Sequence, residues 1–247
     1  MNMRDYELET SKRIEFIRGV LQSAGADGLV FGNSGGKDCA LTGILCKMAC
    51  DDTLGLIMPC GSKQNYESDL ADAKALAEQF GISSRIIDLS EVKKALVNAL
   101  NTGADPVSDS AAANISPRLR MASLYAIALD EKRLVAGTGN RSERYMGYFT
   151  KWGDGAYDFD PIGDLTVTEV YEFLRYFKAP SSIIDKAPSA GLFEGQTDEG
   201  EMGVTYKSID EYLLTGVTSE HDQRIIDRFH NNSEHKRRPP LVYKDTI

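Results

Sequence analysis

Residues 29–45 read Leu-Val-Phe-Gly-Asn-Ser-Gly-Gly-Lys-Asp-Cys-Ala-Leu-Thr-Gly-Ile-Leu. The first three residues have the length and branching of a buried strand end, and the apolar residues after Cys39 are typical of a helix. Gly32, Gly35 and Gly36 lie between these two parts and carry no Cβ atom, so the backbone can turn sharply and approach a ligand closely. The stretch therefore predicts a strand, a glycine-rich turn and a helix.

This glycine-rich turn is a candidate binding site for phosphate groups. A helix that begins here presents unpaired backbone N–H groups to whatever lies over the turn. Ser34 and Lys37 add a hydroxyl donor and a cation at the same place. Asp38 is favourable beside a polyphosphate when a metal ion is shared between the two, so a bound Mg²⁺ is expected. A tight turn without any ligand is the alternative.

The spacing of the turn differs from two common phosphate-binding motifs. It lacks the Gly-Lys-Ser/Thr end of the Walker pattern, and it is not the Gly-x-Gly-x-x-Gly pattern of dinucleotide-binding folds. Residues 34–39 instead resemble the Ser-Gly-Gly-x-Asp-Ser loop of the ATP pyrophosphatases. The resemblance implies an enzyme that cleaves ATP between its α and β phosphates and adenylates an oxygen atom of its substrate.

The composition is ordinary for a globular protein and argues against several other classes. With 247 residues, of which 42% are hydrophobic and 26% charged, the chain is expected to form a single domain over residues 1–247. No apolar run is long enough to span a membrane, and the N-terminus lacks the apolar core of a signal peptide, so a cytoplasmic protein is expected. The net charge of −9 argues against nucleic acid as a partner. The cysteines show no Cys-x-x-Cys spacing, which argues against a disulfide framework or a structural zinc site.

Strand and helix patterns alternate in the first half of the chain. Patterns of buried strands occur at residues 29–31, 53–58, 84–89 and 134–137. Patterns of helices occur at residues 3–23, 70–80, 90–101 and 114–131. This alternation predicts the α/β class, with a doubly wound, mainly parallel sheet flanked by helices and with ligands at the carboxyl ends of the strands.

The pattern changes in the second half of the chain. Residues 138–163 have few apolar repeats and many Gly, Asp and aromatic residues, which predicts a long loop that forms part of the site. Helices are expected at residues 169–177, 205–214 and 219–233. Residues 188–203 are rich in glycine and acidic residues, and we expect them to form a flexible lid over the site.

Seven motifs, in the same order and at similar spacing, resemble those of ammonia-dependent NAD synthetase. They are residues 34–39, 114–121, 137–143, 147–155, 161–165, 195–199 and the basic tail 235–240. The resemblance covers nearly the whole chain and implies a fold of the adenine nucleotide α-hydrolase-like type. It also implies a reaction in which ATP adenylates the nicotinate carboxylate of deamido-NAD, pyrophosphate leaves, and ammonia displaces AMP to give NAD.

The resemblance further implies which residues contact ATP and a metal ion. The turn residues that match the ATP site are Gly32, Asn33, Ser34, Gly35, Gly36, Lys37, Asp38 and Cys39. Thr138, position 167 and Ser189 match further ATP contacts. Asp38 and Glu143 match the ligands of Mg²⁺, an ion that prefers oxygen ligands. Asp38 and Lys186 are implied to act in catalysis, Lys186 as a cation on the phosphates.

Deamido-NAD carries phosphates and a carboxylate, so cations and hydrogen-bonding groups are expected around it. The residues that match its site in the family are Arg118, Lys151, Asp158, His235 and Lys236. Asp154 is a third candidate catalytic residue, which would help to admit ammonia. The family implies a homodimer in which the second subunit completes the site. The chain shows no glutaminase module, so the ammonia is expected to be free or delivered by a separate protein.

Two positions depart from the family pattern. Cys39 stands where the family usually has Ser, which replaces a good hydroxyl donor by a weak thiol. Val167 stands where the family usually has Lys, and Lys37 and Lys186 are the candidates to supply the missing cation. Two other functions therefore stay open. One is another adenylating amidotransferase, such as a GMP-forming enzyme, and the other is a degenerate homologue that binds nucleotide with little turnover.

Overall fold

The centre of the fold is a parallel sheet. Its strands are β1 (Gly28–Gly32), β2 (Thr53–Ile57), β3 (Ser83–Ile86) and β4 (Arg133–Val135). Within the part of the chain that the structure describes, the strand order is β3-β2-β1-β4. Val30 lies in register with Leu54 of β2 on one side and with Val135 of β4 on the other. The carboxyl ends of these three strands consequently lie side by side.

The computed structural model describes residues 4–61, 68–101, 106–186 and 197–243. The helices before β4 are α1 (Tyr6–Ala24), α2 (Lys37–Ala49), α3 (Ser68–Phe80), α4 (Ser90–Leu100), α5 (Asp109–Ala113) and α6 (Ile115–Asp130). Those after β4 are α7 (Arg141–Met146), α8 (Val167–Tyr176), α9 (Ser181–Ile184), α10 (Asp198–Met202), α11 (Tyr206–Thr215), α12 (Glu220–Asn232) and α13 (Glu234–Arg237). Among the described helices, none combines the length and the apolar character that a membrane span requires.

Helices cover both faces of the sheet. Leu29 and Phe31 of β1 belong to one buried apolar cluster, to which α1, α2 and α8 contribute. Val30, between them, belongs to a second cluster that includes residues of β2, β4 and α6. The three side chains are each 0% exposed, because successive residues of a strand point to opposite faces and both faces are packed. This arrangement confirms the predicted doubly wound α/β fold.

The N-terminal helix α1 is tied to residues that are distant in the chain. Arg13 forms an ion pair with Asp164, 151 positions away, with 2.6 Å between Nη1 and Oδ1. The same guanidinium donates a hydrogen bond to the carbonyl of Pro161. The hydroxyl of Tyr6 donates to Oε2 of Glu172, 166 positions away, over 2.6 Å. Helix α1 therefore holds the segment between β4 and α8 in place.

The structure corrects the prediction of a loop over residues 138–163, because this segment contains helix α7. Asn140 caps the helix: its side chain accepts a hydrogen bond from the Glu143 N–H, and the Glu143 carboxylate accepts one from the Asn140 N–H. Such a reciprocal capping box stabilises a short helix that has no regular apolar period. The helix ends at Gly147, whose φ of 66° suits glycine.

One further boundary differs from the sequence-based expectation, and the predicted lid is only partly described. Strand β3 ends at Ile86 rather than at residue 89, although the Ile87 N–H still donates to the Ile57 carbonyl at 2.9 Å. Residues 188–196 of the expected lid lie outside the described residues. The described part of that segment is the helix α10, whose N-terminus is capped by the Thr197 side chain.

Candidate active site

A cavity of about 930 Å³ lies over the carboxyl ends of β1, β2 and β4. Residues at the strand ends line it, including Gly32, Leu56 and Gly137. The glycine-rich turn, the start of α6, the segment after α7, and helices α12 and α13 complete its wall. Doubly wound folds bind their ligands at this edge of the sheet.

The glycine-rich turn has a conformation that requires glycine at one position. Gly35 has a φ of 75°, and a Cβ atom there would lie 2.4 Å from the carbonyl oxygen of Asp69 in α3. Gly35 therefore lets the turn pack directly against α3. The other turn residues line the cavity; they are Gly32, Asn33, Ser34, Gly36, Lys37, Asp38 and Cys39. Helix α2 begins after Gly36 without a side-chain cap, so its first N–H groups are available to an anion.

Buried polar contacts fix the shape of this turn. Asn33 is 1% exposed and donates from Nδ2 to the Ala73 carbonyl at 3.0 Å, while its Oδ1 accepts from the Gly35 N–H at 3.3 Å. The Cys39 thiol donates to the Gly36 carbonyl at 3.0 Å and lies 3.3 Å from Oγ of Ser34. Burial raises the pKa of Cys39. The thiol is therefore a neutral packing group of the turn.

Asp38 and Glu143 approach each other where the turn meets α7, and Lys37 lies between them. The Nζ atom of Lys37 is 2.7 Å from Oδ2 of Asp38 and 3.4 Å from Oε1 of Glu143. Burial, followed by the neighbouring Asp38 carboxylate, raises the pKa of Glu143. Burial alone lowers the pKa of Lys37, but the two carboxylates outweigh it and the pKa lies above its usual value. Lys37 therefore connects the two carboxyl groups into one cluster.

Asp198 of α10 adds another carboxylate to this part of the cavity. It is 3% exposed and accepts a hydrogen bond from the hydroxyl of Tyr206 at 3.0 Å. The Nζ atom of Lys37 lies 5.6 Å from the centre of the Tyr206 ring. Within the described ranges, no set of three or more His, Cys, Asp or Glu side chains is arranged to hold a metal ion. A metal ion bound by Asp38 and Glu143 would therefore take further ligands from a phosphate or from water.

Two of the predicted cations line the cavity and are already engaged by the protein. The Nζ atom of Lys186 lies 2.7 Å from Oδ1 of Asp69 and 2.8 Å from Oδ2 of Asp72. The Nζ atom of Lys236 donates to two backbone carbonyls of the segment after α7, each at 2.8 Å. Each ammonium group uses two of its three N–H donors in these contacts, which leaves one N–H for a phosphate.

The other residues predicted to contact deamido-NAD do not line this cavity, within the described part of the chain; they are Arg118, Lys151, Asp158 and His235. Arg118 is exposed and donates to the Lys151 carbonyl at 3.3 Å. Lys151 in turn donates from Nζ to the His235 carbonyl at 2.7 Å. Asp158 accepts hydrogen bonds from the Val135 N–H and the Tyr125 hydroxyl, at 2.8 and 3.2 Å. Arg118, Lys151 and His235 thus form a connected group outside the cavity, with Arg118 on α6.

The remaining predicted residues have different surroundings. Thr138 and Asp154 line the cavity, and Asp154 accepts a hydrogen bond from the Thr150 N–H at 2.9 Å. Val167 does not line it: this residue is 3% exposed and belongs to an apolar cluster of helices α7, α8 and α10 to α12. The apolar side chain packs between helices because it has no polar group to satisfy there. Ser189 lies outside the described residues.

Two residues of this site were not assigned a role from the sequence. Arg120 lines the cavity and donates from Nε to the Met58 carbonyl at 3.1 Å, and burial lowers its pKa. It lies two positions after Arg118, and residues at that spacing point to nearly opposite sides of a helix. Asn140 donates from Nδ2 to Oδ1 of Asp38 at 3.0 Å. The spacing of Asn140 and Glu143 is a signal for the helix cap, but it carries no signal for the contact with Asp38, 102 positions away.

The fold and the site define an α/β protein of the kind that binds nucleotides, with a cavity, a glycine-rich turn and a helix N-terminus at the carboxyl edge of its sheet. The family model described as NAD synthase matches residues 9–240. The chain belongs to the NAD synthase family, and it is a ligase of NAD biosynthesis.

Relatives of this chain support the assignment over its full length. The NH(3)-dependent NAD(+) synthetase of Carboxydothermus hydrogenoformans is 48% identical over 240 residues, which cover 96% of this chain and 98% of the relative. That of Alkaliphilus oremlandii is 43% identical, and the match covers 92% of this chain and 93% of the relative. These relatives confirm the resemblance to ammonia-dependent NAD synthetase.

Solved structures of related proteins share the fold. The structure of NMN synthetase from Francisella tularensis has a TM-score of 0.92 and 37% identity, and the match covers 97% of this chain and 99% of that one. The structure of the NH3-dependent NAD synthetase from Campylobacter jejuni has a TM-score of 0.80 and 27% identity, and the match covers 98% and 100% of the two chains. The fold type implied by the resemblance is therefore confirmed.

Proposed function

We propose that this NAD synthetase uses ATP to adenylate the nicotinate carboxylate of deamido-NAD, releases pyrophosphate, and lets ammonia displace AMP to form NAD. The observation that supports the proposal most directly is the single cavity that joins the glycine-rich turn, the Asp38 and Glu143 carboxylates and the Lys236 side chain. The turn suits a triphosphate, and Lys236 suits an anionic group of the second substrate. One cavity thus holds the groups for both reactants.

The chemistry asks for alignment and charge stabilisation rather than for a protein nucleophile. A carboxylate is a poor electrophile and must become a mixed anhydride before an amine attacks it, so its oxygen has to be aligned with the α-phosphate. Backbone N–H groups at the start of α2 would hold the phosphates. Lys186 would leave Asp69 and Asp72 and stabilise the charge that develops on pyrophosphate. Asp154 lines the same cavity, and we propose that its carboxylate accepts a hydrogen bond from the incoming ammonia.

We further propose that Asp38 and Glu143 hold Mg²⁺ together with the phosphates of ATP. The donor set fits this ion, because both groups are carboxylates and Asn140 fixes one of them while its own position is fixed by the Glu143 N–H. The bound ion would neutralise phosphate charge and orient the triphosphate. Sites of this kind use one or two carboxylates and leave other positions for substrate oxygens.

A second candidate substrate is the mononucleotide of nicotinate, which would be amidated to NMN by the same chemistry. It is favoured by the high TM-score of 0.92 with the NMN synthetase of Francisella tularensis. The identity of 48% with the NH(3)-dependent NAD(+) synthetase of Carboxydothermus hydrogenoformans favours deamido-NAD. We therefore propose the dinucleotide as the principal substrate.

One assay distinguishes these functions. The protein is given ATP, Mg²⁺ and ammonium together with deamido-NAD, nicotinate mononucleotide or xanthosine monophosphate, and AMP and the amidated product are measured. We expect NAD, with AMP formed in equal amount. Greater turnover with the mononucleotide would establish the second candidate, and GMP formation would establish the GMP-forming alternative. ATP binding without any product would establish the degenerate homologue.

We also propose that the protein is a homodimer that pairs through α4 and α6. Along α6, the exposed residues recur at helical spacing on one face; they are Arg118, Ala122, Ala126 and Leu129. Beside it, α4 has no buried residue and exposes an apolar stripe; its members are Val92, Leu96 and Leu100. A second copy is the occupant that this surface favours, because Arg118 on the same face would then reach the partner's substrate.

The supply of ammonia and the location of the protein belong to the same proposal. Ammonia is free or is delivered by a separate protein, and the reaction takes place in the cytoplasm, where ATP and dinucleotides are available. The assay above, repeated with glutamine in place of ammonium, tests the first point. Amidation with glutamine alone would contradict it.

A further inference from the structure

We propose that Lys37 is a built-in counter-ion that occupies the position between Asp38 and Glu143 and gives it up when Mg²⁺ arrives with the nucleotide. The inference rests on the proposed function, in which these carboxylates hold Mg²⁺. It adds a control of metal binding: a cation already present in the protein competes with the metal.

The contacts of Lys37 carry this inference. Its Nζ atom lies 2.7 Å from Asp38 and 3.4 Å from Glu143, so one ammonium group bridges both carboxylates. The Lys37 side chain is 7% exposed, whereas lysine side chains on protein surfaces are mostly in solvent. A lysine that only attracted phosphates would extend into the cavity. Lys37 lies in the cavity wall, and its Nζ atom is paired with the two carboxylates of the same wall.

The surroundings of Lys37 are built to keep this ammonium charged and in place. The Tyr206 ring lies under Nζ with its centre 5.6 Å away, which is the geometry of a cation–π contact. The hydroxyl of that ring is held by Asp198, so the ring is fixed from below. Asp38 is held on its other oxygen by Asn140. The acidic and aromatic groups around the ammonium therefore form a closed set of contacts.

The ammonium and a metal ion exclude each other at this position. Mg²⁺ binds carboxylate oxygens at about 2.0–2.1 Å in an octahedral arrangement, and it needs the space between the two carboxylates. Lys37 bridges the two carboxylates, and its positive charge offsets the repulsion between Asp38 and Glu143. Lys37 thus keeps the two carboxylates together before the metal binds.

Lys37 has another anion to pair with once it is displaced. It is the first residue of α2 and part of the glycine-rich turn, so the phosphates of a nucleotide bound there come within reach of its side chain. Binding of the nucleotide consequently makes the exchange favourable, whereas the metal alone has to displace a buried ion pair. We expect weak metal binding without ATP and strong metal binding with it.

The test measures Mn²⁺ binding by electron paramagnetic resonance, with and without ATP, in the wild type and in Lys37→Gln. Glutamine removes the charge and keeps a similar length. We expect Lys37→Gln to bind Mn²⁺ at least tenfold more tightly than the wild type when ATP is absent. The matched control is Lys47→Gln, which removes the same charge from the other end of α2, where Nζ contacts the Asp51 carbonyl. Equal Mn²⁺ affinity in Lys37→Gln and in the wild type would overturn the inference.

A measurement on the wild type serves if Lys37→Gln does not fold. With lysine labelled by nitrogen-15, the buried ammonium of Lys37 is expected to give a slowly exchanging signal that is absent from Lys37→Arg. Mg²⁺ and ATP together should shift this signal, and an unchanged signal would overturn the inference. Failure of the metal assignment itself has another signature, because Asp38→Asn would then bind Mn²⁺ with ATP as tightly as the wild type.

Discussion

Asn140 donates a hydrogen bond from Nδ2 to Oδ1 of Asp38 over 3.0 Å, and so connects the residues that follow β4 with the first turn of α2. The same side chain accepts from the Glu143 N–H at 2.9 Å and is 0% exposed. One amide therefore sets the relative positions of the two carboxylates proposed to hold Mg²⁺. The contact with Asp38 needs the N–H donor of the Asn140 side chain, whereas the contact with the Glu143 N–H needs its oxygen, so two variants can separate them.

Asn140→Ser retains an oxygen that can cap α7 but lacks the amide that reaches Asp38. We expect kcat/KM for ATP to fall by about tenfold to a hundredfold, because Asp38 loses a contact that orients it, with little change in the free energy of unfolding. Asn140→Asp also caps α7, but places a like charge next to Asp38, and should lose more activity. Steady-state kinetics and urea denaturation check both variants. Wild-type kinetics in Asn140→Asp would contradict the role given to this amide.

Gly35→Ala should lower the free energy of unfolding by more than the cost of a positive φ at a non-glycine residue. Gly25 and Gly35 both have positive φ, 62° and 75°, but a Cβ atom meets nothing within 4 Å at Gly25 and meets the Asp69 carbonyl oxygen at 2.4 Å at Gly35. Gly25→Ala is thus the control for backbone strain, at about 1–2 kcal/mol. We expect Gly35→Ala to cost clearly more, and to weaken ATP binding. Urea denaturation and calorimetry measure both, and equal costs would contradict the packing argument.

The pH dependence of stability should carry the signature of Asp160. Burial raises the pKa of this carboxyl to about 6, and Oδ2 is buried without a hydrogen-bond partner among the described residues. Because the folded protein holds this proton more tightly than the unfolded chain, the stability that Asp160 contributes is complete below about pH 4 and is lost as the pH rises through about 6. The stability of the wild type relative to Asp160→Asn should fall by about 2 kcal/mol across this range.

The pH dependence of stability at the neighbouring carboxyl of Asp164 should have the opposite sign. Burial works to raise the pKa of Asp164, but the hydrogen bond with Arg13 and the charges of Arg13 and Arg4 together outweigh burial, and the pKa lies below the usual value. Wild-type stability relative to Asp164→Asn should therefore fall as the pH is lowered toward the pKa of Asp164. Urea denaturation at a series of pH values measures both differences. Equal slopes for the two variants would contradict this account.

Ala126→Glu should separate the proposed dimer. Ala126 lies in the middle of the exposed face of α6, where a carboxylate would be buried against the second copy without a partner. We expect the wild type to elute as a dimer in size-exclusion chromatography with light scattering, and Ala126→Glu to elute as a monomer with reduced turnover. Val217→Glu is the control, because Val217 is 65% exposed and lies outside this face. A dimeric Ala126→Glu would contradict the interface.

The pairing of Lys37 with Tyr206 predicts an interaction with position 167. Val167 and Tyr206 belong to the same apolar cluster, so Val167→Lys would bring a second ammonium toward a ring that already contacts Lys37. We expect Val167→Lys to cost about 2–3 kcal/mol in the free energy of unfolding. Combined with Lys37→Gln, it should cost less than the two single changes together, by about 1 kcal/mol or more. Urea denaturation of the wild type, the two single variants and the double variant gives the interaction energy. Additive costs would contradict an interaction between positions 37 and 167.

The fold could be predicted from the sequence because β1, β2 and β4 are short, mainly apolar runs that end at, or within two residues of, a glycine or proline. The run at Leu29 to Phe31 is fully buried, as a strand with packing on both faces must be. Helix α7 could not be predicted from apolar periodicity, since its stability comes from the contacts of Asn140 and Glu143. The end of β3 was also misplaced, because Ile86 and its neighbours are exposed at the edge of the sheet.

The site could be predicted where its residues follow a strand, as in the glycine-rich turn and at Thr138. Side-chain direction on a helix could not be predicted from a motif alone: Arg118 faces solvent, and Arg120 faces the cavity. The ion-pair partners of the cations could not be predicted either. Lys186, for example, pairs with Asp69 and Asp72, which are 117 and 114 positions away. Sequence spacing carries no information on such distant pairs.

The contacts of α1 with Asp164 and Glu172 also affect folding during translation. The first helix leaves the ribosome early, but its ion pair and its tyrosine hydrogen bond need residues 151 and 166 positions later in the chain. Until those residues emerge, the apolar side of this helix has no complete surface to pack against, and it is available to chaperones. Packing around α1 therefore waits until Asp164 and Glu172 have been synthesised, and a truncated product that stops before Asp164 is expected to be cleared by proteolysis.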